Sequence, residues 1–280
     1  MREIEFVKMH GNGNDFIVID CLREALNGID LSEFGGRVCN RNFGIGGDML
    51  ILVLPSESAD YRMRMINSDG SEAEMCGNGI RCFAKYLYDR RMADDSMSVE
   101  TPAGVMTVEV QSKNGHAQSA TVNMGTPVLE AGKIPVSGFD GQVVLEPVEV
   151  DGQRLDITCV SMGNPHCVIF VDSAAAVPLE DIGPKIETHQ AFPRKTNVEF
   201  VEVVSPDELV MRVWERGAGV TLACGTGACA SVVAGAVAGK SGRRATVHMP
   251  GGDLLIDWRE DGNVYMTGPA VEVFRGRIVV

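Results

Sequence analysis

An internal repeat constrains this chain more than any other feature of its sequence. The stretch MRMINSDGSEAEMCGNGIRC begins at Met63, and the stretch MRVWERGAGVTLACGTGAC begins at Met211, 148 residues later. The same spacing separates Cys76 from Cys224, and each of these cysteines is followed by Gly-x-Gly. A repeat of this length predicts two halves built on one supersecondary plan, in which each repeated cysteine starts a helix.

Two further pairs of segments extend the repeat. TPAGVMTVEV from Thr101 aligns with MPGGDLLIDW from Met249 at the same offset. GNGNDFIVID from Gly11 aligns with GNPHCVIFVD from Gly163 at an offset of 152. If the two halves face each other, they bring the two repeated cysteines together.

The composition indicates a globular protein with an acidic surface. The 280 residues, 45% of them hydrophobic, are enough for two domains with a core each. The formal net charge of −13 disfavours nucleic acid and membranes as partners, because both select clustered Lys and Arg. The opening residues lack the apolar core of a signal peptide, so we expect a cytoplasmic protein.

The eight cysteines are expected to be thiols, because disulfide frameworks belong to secreted chains. Their spacings, even with His10 and His166, match no zinc pattern, and the GNGND turn lacks the third glycine and the helix of a dinucleotide site. We therefore expect neither a metal nor a cofactor. Outside the repeated pair, the cysteines are predicted to be small core residues: Cys21, Cys39, Cys82, Cys159, Cys167 and Cys229.

The apolar patterns predict many strands and few helices. EIEFVKMHG and FIVID flank the GNGND turn as a hairpin, and residues 29–41 are expected to hold a short helix. The stretch ACASVVAGAVAGK is apolar on all sides, which is typical of a helix enclosed by a curved sheet. The stretch 129–151, with its Gly and Pro residues, is interpreted as a linker.

A cysteine at a helix start lies where unpaired N–H groups and the helix dipole favour negative charge. We therefore expect the thiol pKa of Cys76 and Cys224 to fall. The glycines after each cysteine let backbone N–H groups approach a ligand, and a carboxylate fits such a site. Asn67 and Glu215 stand nine positions before the cysteines and are predicted to end strands beside the same cleft.

Two opposed thiols, an anion-binding turn beside each and no cofactor motif indicate inversion at the α-carbon of an amino acid. One thiolate removes the α-proton from one face, while the other thiol delivers a proton to the opposite face. The negative charge that develops on the carboxylate is met by fixed N–H donors and helix dipoles.

The chain resembles the diaminopimelate epimerase family, cofactor-independent enzymes of lysine and peptidoglycan precursor biosynthesis. The resemblance covers nearly the whole chain, and its blocks are MHGNGNDF, NSDGSE, MCGNGIRCFAKYL, SMGNPHCV, KTNVEFV, ERGAGVTLACGTGACA and MTGPAVEVFRG. It implies an α+β fold of two pseudo-symmetric domains, each a mixed β-sheet rolled into a barrel around a central α-helix. The expected domains are residues 1–118 with 269–280, and residues 119–268, with the active site in the cleft between them.

The resemblance also assigns residues to the interconversion of LL- and meso-2,6-diaminopimelate. It makes Cys76 and Cys224 the catalytic acid–base pair and places His166 nearby as a candidate assisting residue. In a diamino diacid, Arg216 suits the distal carboxylate and Glu215 the ammonium. The remaining implied substrate-binding residues are Asn14, Asn67, Gly77, Asn78, Asn164, Asn197, Gly225 and Thr226.

Alternatives stay open at this point. Val220 stands where many relatives have Glu, and Met49 stands where some have Gln, so a related cofactor-independent amino-acid racemase of the histidine or proline type is the first alternative. A non-enzymatic redox or metal-binding protein that uses the same cysteines is the alternative from another class. The family resemblance further implies a homodimer.

Overall fold

The structure is a computed structural model that describes residues 2–24 and 26–279. The chain splits into two compact units: unit 1 comprises Met1–Asn123 and Thr267–Val280, and unit 2 comprises Met124–Met266. Within the described residues, no helix is long and apolar enough to cross a membrane.

Runs of strands separated by single helices follow the same order in both units, apart from one extra strand at the start of unit 2 and the C-terminal strand, which returns to unit 1. The strands are β1 (Glu3–Gly11), β2 (Asn14–Asp20), β3 (Met49–Leu54), β4 (Tyr61–Asn67), β5 (Glu72–Ala73), β6 (Ser96–Thr101), β7 (Gly104–Lys113), β8 (His116–Asn123), β9 (Glu146–Val150), β10 (Gln153–Ser161), β11 (Pro165–Phe170), β12 (Asn197–Ser205), β13 (Glu208–Glu215), β14 (Gly219–Val220), β15 (Arg244–Met249), β16 (Gly252–Trp258), β17 (Val264–Pro269) and β18 (Val271–Val279). The helices are α1 (Leu31–Cys39), α2 (Gly77–Asp89), α3 (Leu179–Glu187) and α4 (Gly225–Val237).

Unit 1 is a mixed sheet around α2. Its strands run in the order β18-β1-β2-β3-β4-β6-β7-β8, with parallel pairs at β2/β3 and β4/β6 and antiparallel pairs elsewhere. Helix α2 packs against β1, β2, β3, β7, β8 and β18, so the sheet encloses it. Its buried side chains include Ile80, Phe83 and Leu87, which helical spacing places on one face.

Unit 2 repeats this plan around α4. Its strands run in the order β9-β10-β11-β12-β13-β15-β16, with parallel pairs at β11/β12 and β13/β15. Helix α4 packs against β10, β11, β12, β13, β15 and β16. The residues from Gly227 to Gly235 are all buried, which confirms the helix predicted to be apolar on every side.

The repeat offset of 148 also holds in the strand register. Ile51 pairs with Met65 between β3 and β4, and Glu199 pairs with Val213 between β12 and β13. Both members of the second pair lie 148 residues after their counterparts in the first. The two sheets therefore place equivalent residues at equivalent positions around their central helices.

In each unit, a glycine lets the helix outside the sheet, α1 or α3, approach that sheet closely. A Cβ added to Gly35 of α1 would lie 2.5 Å from Cγ2 of Ile66, and one added to Gly183 of α3 would lie 2.6 Å from Cγ of Trp214. Real Cβ atoms do not approach other atoms this closely, so both positions require glycine. These two contacts are again 148 residues apart.

The hairpin predicted at GNGND is confirmed. β1 pairs antiparallel with β2, and Gly11 lies opposite Asn14. The two residues between them, Asn12 and Gly13, have φ of 53° and 83°, as the type I′ turn of a two-residue hairpin requires. The short helix predicted within 29–41 is confirmed as α1, whose N-cap Asp30 accepts hydrogen bonds from two backbone N–H groups.

The interpretation of residues 129–151 as a linker is wrong. The stretch contributes β9, and the side chains of Val136 and Val143 are buried in a core cluster with Ile157 and Phe200. The glycines that suggested a linker, Gly138 and Gly141, have positive φ and form turns between short buried segments. Local composition is the same for a linker and for such turns.

Candidate active site

Cys76 is the N-cap of α2, so the prediction that it starts a helix is confirmed. Its backbone is extended (φ −142°, ψ 110°), and its Sγ accepts a hydrogen bond from the backbone N–H of Gly79 at 3.4 Å. The side chain thus lies over the first turn of the helix, and it is half-buried. A capping side chain satisfies one of the donors that a helix start leaves unpaired.

Asn14 joins the Cys76 site through a set of side-chain hydrogen bonds. The Cys76 thiol donates to Asn14 Oδ1 at 3.5 Å, and Asn78 Nδ2 reaches the same oxygen at 3.5 Å. Asn14 Nδ2 donates to Asp48 Oδ2 at 2.5 Å, and Arg41 donates to Asp48 Oδ1 at 2.8 Å. Asp48 therefore orients the Asn14 amide with its oxygen toward the thiol.

The sequence reasoning missed Asp48 and the charges behind it. Asp15 accepts hydrogen bonds from both Arg41 and Lys8. Burial alone would raise the pKa of Asp15, but these hydrogen bonds and charges outweigh it and hold the pKa well below its usual value. The signal in the sequence was the pair of aspartates in GNGND and GIGGD, two turns that both precede strands.

Cys224 is the N-cap of α4, again as predicted. Its backbone is extended (φ −125°, ψ 111°), and its Sγ accepts the backbone N–H of Gly227 at 3.4 Å. The Thr226 hydroxyl lies 3.5 Å from the same sulfur. The residue is only 5% exposed, so the Cys224 thiol is the more enclosed of the two.

The expected fall in thiol pKa is wrong for Cys224. Burial raises the pKa of this thiol well above its usual value, and the negative charges of Glu215 and Glu199 raise it further. Hydrogen bonds from Thr226 and from the Gly227 N–H lower it by less. The helix start does favour the thiolate, but desolvation and two nearby carboxylates outweigh that effect.

Asn67 and Glu215 end β4 and β13, which confirms the predicted strand ends. Asn67 Nδ2 donates to the Ser71 hydroxyl at 2.9 Å. Glu215 accepts a hydrogen bond from the Thr221 hydroxyl, and burial raises the pKa of its carboxyl group. The negative charge of Glu215 also acts on the Cys224 thiol, so Glu215 contributes to the electrostatics of the Cys224 site.

His166 is fully buried between two partners in unit 2. Its Nδ1 lies 2.7 Å from Glu199 Oε1, and its Nε2 lies 2.9 Å from Asn164 Oδ1. Asn164 Nδ2 in turn donates to the Thr226 hydroxyl at 3.3 Å. Sequence reasoning missed Glu199, although a glutamate between Val198 and Phe200 in a strand pattern was a signal for it.

The side chain of Asn197 is hydrogen-bonded to the main chain of Arg216. Asn197 is buried; its Nδ2 donates to the carbonyl of Pro165 at 2.8 Å, and its Oδ1 accepts the backbone N–H of Arg216 at 2.9 Å. The Arg216 guanidinium donates a hydrogen bond to the carbonyl of Arg194 at 3.4 Å, and Arg216 is an exposed residue. Asn197 thus holds the loop from which the Arg216 side chain extends.

Four backbone N–H groups lie at the two helix starts. The first N–H groups of an α-helix have no partner within the helix, and the positive end of the helix dipole lies beside them. Each pair of them can therefore bind an anionic oxygen next to a thiol. They belong to Gly77 and Asn78 in α2 and to Gly225 and Thr226 in α4.

The remaining cysteines agree with their predicted core role, with one exception. Burial raises the pKa of Cys39 and Cys82 to about 12. Cys21 is only half-buried rather than in the core, and its pKa is raised to about 11 by burial and by nearby acidic residues. All eight cysteines are free thiols.

Comparison with known proteins gives one family. The model of the family described as diaminopimelate epimerase matches residues 6–130 and 158–273. A diaminopimelate epimerase of Pelotomaculum thermopropionicum is 57% identical over 274 residues, which cover 98% of each chain. A diaminopimelate epimerase of Desulfitobacterium hafniense is 55% identical over 275 residues, covering 98% of this chain and 97% of that protein.

A solved structure shares the fold at much lower sequence identity. The phenazine biosynthesis protein of the PhzF family from Bacillus anthracis is 16% identical and matches with a TM-score of 0.70 over 100% of both chains. The fold is therefore shared with proteins well outside the near relatives, whereas the match to the family model and the high-identity relatives identifies the family. The chain belongs to the diaminopimelate epimerase family.

Proposed function

We propose that the protein interconverts LL- and meso-2,6-diaminopimelate by moving the α-proton between two thiols, without PLP. The observation that carries this proposal is the repeated placement of a cysteine as the N-cap of each central helix, beside the first backbone N–H groups of that helix. Membership of the family and the identity to curated diaminopimelate epimerases support the choice of substrate.

In the proposed reaction both thiols act on a single α-carbon, from opposite faces. The thiolate of one cysteine takes the α-proton, so that the Cα–H bond breaks and its electron pair moves into the carboxylate. The thiol of the other cysteine then gives its proton to the opposite face, which leaves it as the new thiolate. One S–H bond has formed and one has broken, and no electron leaves the substrate.

The carboxylate gains negative charge in the planar intermediate. Fixed N–H donors and the positive ends of two helix dipoles stabilise that charge without having to reorganise. This role fits the four backbone groups at the helix starts, of Gly77, Asn78, Gly225 and Thr226. Asn14 and Asn164 flank the same positions, and their amides are held in place by Asp48 and His166.

The distal end of the substrate is assigned to Arg216 and Glu215. A guanidinium binds a carboxylate through two parallel hydrogen bonds, and the exposed Arg216 side chain is available for such a contact. A substrate ammonium near Glu215 would balance a carboxyl group that is buried beside Cys224. We assign Asn67 and Asn197 to the same substrate site, Asn197 by shaping the loop of Arg216.

We also propose that the protein is a cytoplasmic homodimer. The family resemblance supports this, as do several large apolar side chains of β18 that are exposed in a single chain. These are Val271, Val273, Phe274 and Val279. Sedimentation of the purified protein tests the proposal, which a monomer at micromolar concentration would contradict.

A panel of substrates tests the proposed activity. LL-diaminopimelate, L-histidine and L-proline are each incubated with the protein, and the isomers are separated by chiral chromatography. We expect interconversion of diaminopimelate alone. Inversion of histidine or proline without inversion of diaminopimelate would replace the proposal by an amino-acid racemase with the same chemistry.

A further inference from the structure

The two central helices start above different side chains. A Cβ added to Gly79 would lie 3.3 Å from Cδ1 of Ile51, and one added to Gly227 would lie 2.7 Å from Oε1 of Glu199. Ile51 and Glu199 are 148 residues apart and hold the same position in the strand register. The repeat therefore places an isoleucine beneath the helix start of Cys76 and a glutamate beneath that of Cys224.

Packing does not explain Glu199. The residue is fully buried, and among the residues that the structure describes its Oε2 has no hydrogen-bond partner. Burying a carboxylate with an unsatisfied oxygen is costly, whereas an apolar side chain fills the equivalent position in unit 1. A residue that breaks the repeat at such a cost is expected to serve the site above it.

A continuous hydrogen-bond relay joins Glu199 to the Cys224 sulfur. Glu199 Oε1 lies 2.7 Å from His166 Nδ1, and His166 Nε2 lies 2.9 Å from Asn164 Oδ1. Asn164 Nδ2 donates to Thr226 Oγ1 at 3.3 Å, and Thr226 Oγ1 lies 3.5 Å from Cys224 Sγ. A change at the buried carboxylate can therefore reach the sulfur through four hydrogen bonds.

The relay holds the imidazole in one orientation. Because a carboxylate oxygen only accepts, the first hydrogen bond keeps a proton on His166 Nδ1. The other ring nitrogen, Nε2, then lies 2.9 Å from Asn164 Oδ1. Glu199 thus holds the ring so that its Nε2 faces Asn164.

The charges of nearby acidic groups act on the Cys224 thiol in addition to the hydrogen-bond relay. The acidic groups that act on Cys224 are Glu215 at the end of β13 and Glu199 in β12, and both disfavour its thiolate. Glu199 and His166 of β11 also act on Glu215, with opposite signs. Burial first, then Cys159, and then the charge of Glu199 raise the pKa of Cys167 in β11.

We propose that Glu199 is a positioning residue that makes the two thiols unequal. It keeps Cys224 as the protonated partner in the ligand-free protein and holds His166, Asn164 and Thr226 in place around it. Cys76, which lies above an isoleucine, is the partner that starts as the base. This assignment rests on the proposed function, because unequal thiols matter only if both act on one carbon.

The test is the pH dependence of thiol alkylation, with iodoacetamide as the probe and peptide mass mapping as the readout. Cys76→Ala leaves Cys224 as the only repeated cysteine, and Cys224→Ala leaves Cys76. We expect the midpoint for Cys224 to lie at least about one pH unit above that for Cys76. Adding Glu199→Gln to Cys76→Ala removes the charge but keeps the acceptor for His166, and it should lower the Cys224 midpoint by about one pH unit.

Two further variants separate positioning from a general loosening of the core. Thr226→Val removes the last link of the relay and a hydrogen bond that lowers the Cys224 pKa, so the midpoint should rise. A general loosening of the core would instead shift the Cys224 midpoint in the same direction in Glu199→Gln and in Thr226→Val. Glu187→Gln is the matched control, because Glu187 is a second buried glutamate of unit 2 and serves Trp214 and Gly217 instead; the Cys224 midpoint should not change.

Equal alkylation profiles for Cys76 and Cys224 would overturn the assignment. This comparison uses proteins with native Glu199, so it tests the assignment even if the Glu199→Gln protein does not fold. An unchanged Cys224 midpoint in folded Glu199→Gln protein would overturn it as well. Failure of the proposed function is distinguishable, because it would appear as absent isomer interconversion with all substrates while the two alkylation profiles still differ as expected.

Discussion

Asn14 Nδ2 donates a hydrogen bond to Asp48 Oδ2 at 2.5 Å, and this contact directs the other end of the amide at the Cys76 thiol. Neither residue would hold this orientation alone, because an amide can turn over when its environment does not distinguish oxygen from nitrogen. Asp48 lies 34 residues from Asn14 in the sequence, and the parallel pairing of β2 with β3 brings the two together.

The first prediction concerns Asp48. Asp48→Ala should lower kcat/KM about tenfold, because the freed Asn14 amide loses a hydrogen bond to a charged acceptor and turns between two orientations. Asp48→Asn should recover most of the loss, since its Oδ1 still accepts from Asn14. Steady-state kinetics on the two variants measure the effect, and equal rates for Asp48→Ala and the native protein would remove Asp48 from the site.

The second prediction compares cysteines within the same helices. Cys76→Ala and Cys224→Ala should each lower the rate of isomer interconversion by about 10²- to 10⁴-fold, the usual contribution of one general acid or base. Cys82→Ala and Cys229→Ala are the matched controls, because both residues are buried in the same two helices. These controls should retain activity and lose about 1 kcal/mol of unfolding free energy. A nearly native rate in Cys224→Ala would refute the assignment of two bases.

The third prediction concerns Arg216. Arg216→Met should lower kcat/KM for the diamino diacid by about 10- to 100-fold, because a charge-assisted hydrogen-bonded pair with the distal carboxylate is lost. The loss can appear in both kcat and KM, since binding of a remote group also positions the reacting centre. Arg194→Met is the control, because Arg194 contacts Arg216 through its backbone carbonyl, which the substitution keeps. An unchanged kcat/KM in Arg216→Met would leave the distal carboxylate without its assigned partner.

The fourth prediction concerns stability and pH at His248. The hydrogen bond to Asp253, and then that to Glu208, raise the pKa of His248 above 6.5. A group whose pKa is raised by folding stabilises the folded state below its unfolded pKa, and this stabilisation is lost as the pH rises through the folded pKa. His248 joins β15 to β13 and β16, so the effect belongs to unit 2.

Thermal unfolding measured from pH 5.5 to pH 8.5 should therefore show a fall in Tm for the native protein that is smaller in His248→Gln. Asp253→Asn should reduce the same fall, because it removes the charge on the stronger partner. Identical pH profiles for the native protein and His248→Gln would contradict this account of the pair.

Features of the fold that depend on local pattern were predictable from the sequence. The helix starts at Cys76 and Cys224 follow from Gly-x-Gly after an extended stretch, and the repeat doubled the weight of that signal. The turn at Asn12 and Gly13 follows from the positive φ that a two-residue hairpin needs. These features depend on residues that are neighbours in the chain.

Features that depend on distant residues were not predictable in the same way. The prediction of a lowered thiol pKa for Cys224 was wrong because desolvation and the charge of Glu199, 25 residues away, outweigh the effect of the helix start. The interpretation of residues 129–151 as a linker was wrong because the burial of Val143 depends on strands that come later in the chain. Asp48 was missed because its partner Asn14 is brought to it only by strand pairing.

Transfer of the α-proton between two separate thiols is tested most directly by the fate of the hydrogen. The protein converts LL-diaminopimelate in D₂O, and both isomers are recovered at early times for mass spectrometry. A thiol exchanges its proton with solvent, so the product should carry one deuterium at the inverted carbon while the remaining starting isomer carries none. Product that retains the hydrogen of its own substrate would show that one group both removes and returns the proton, and would contradict the two-thiol account.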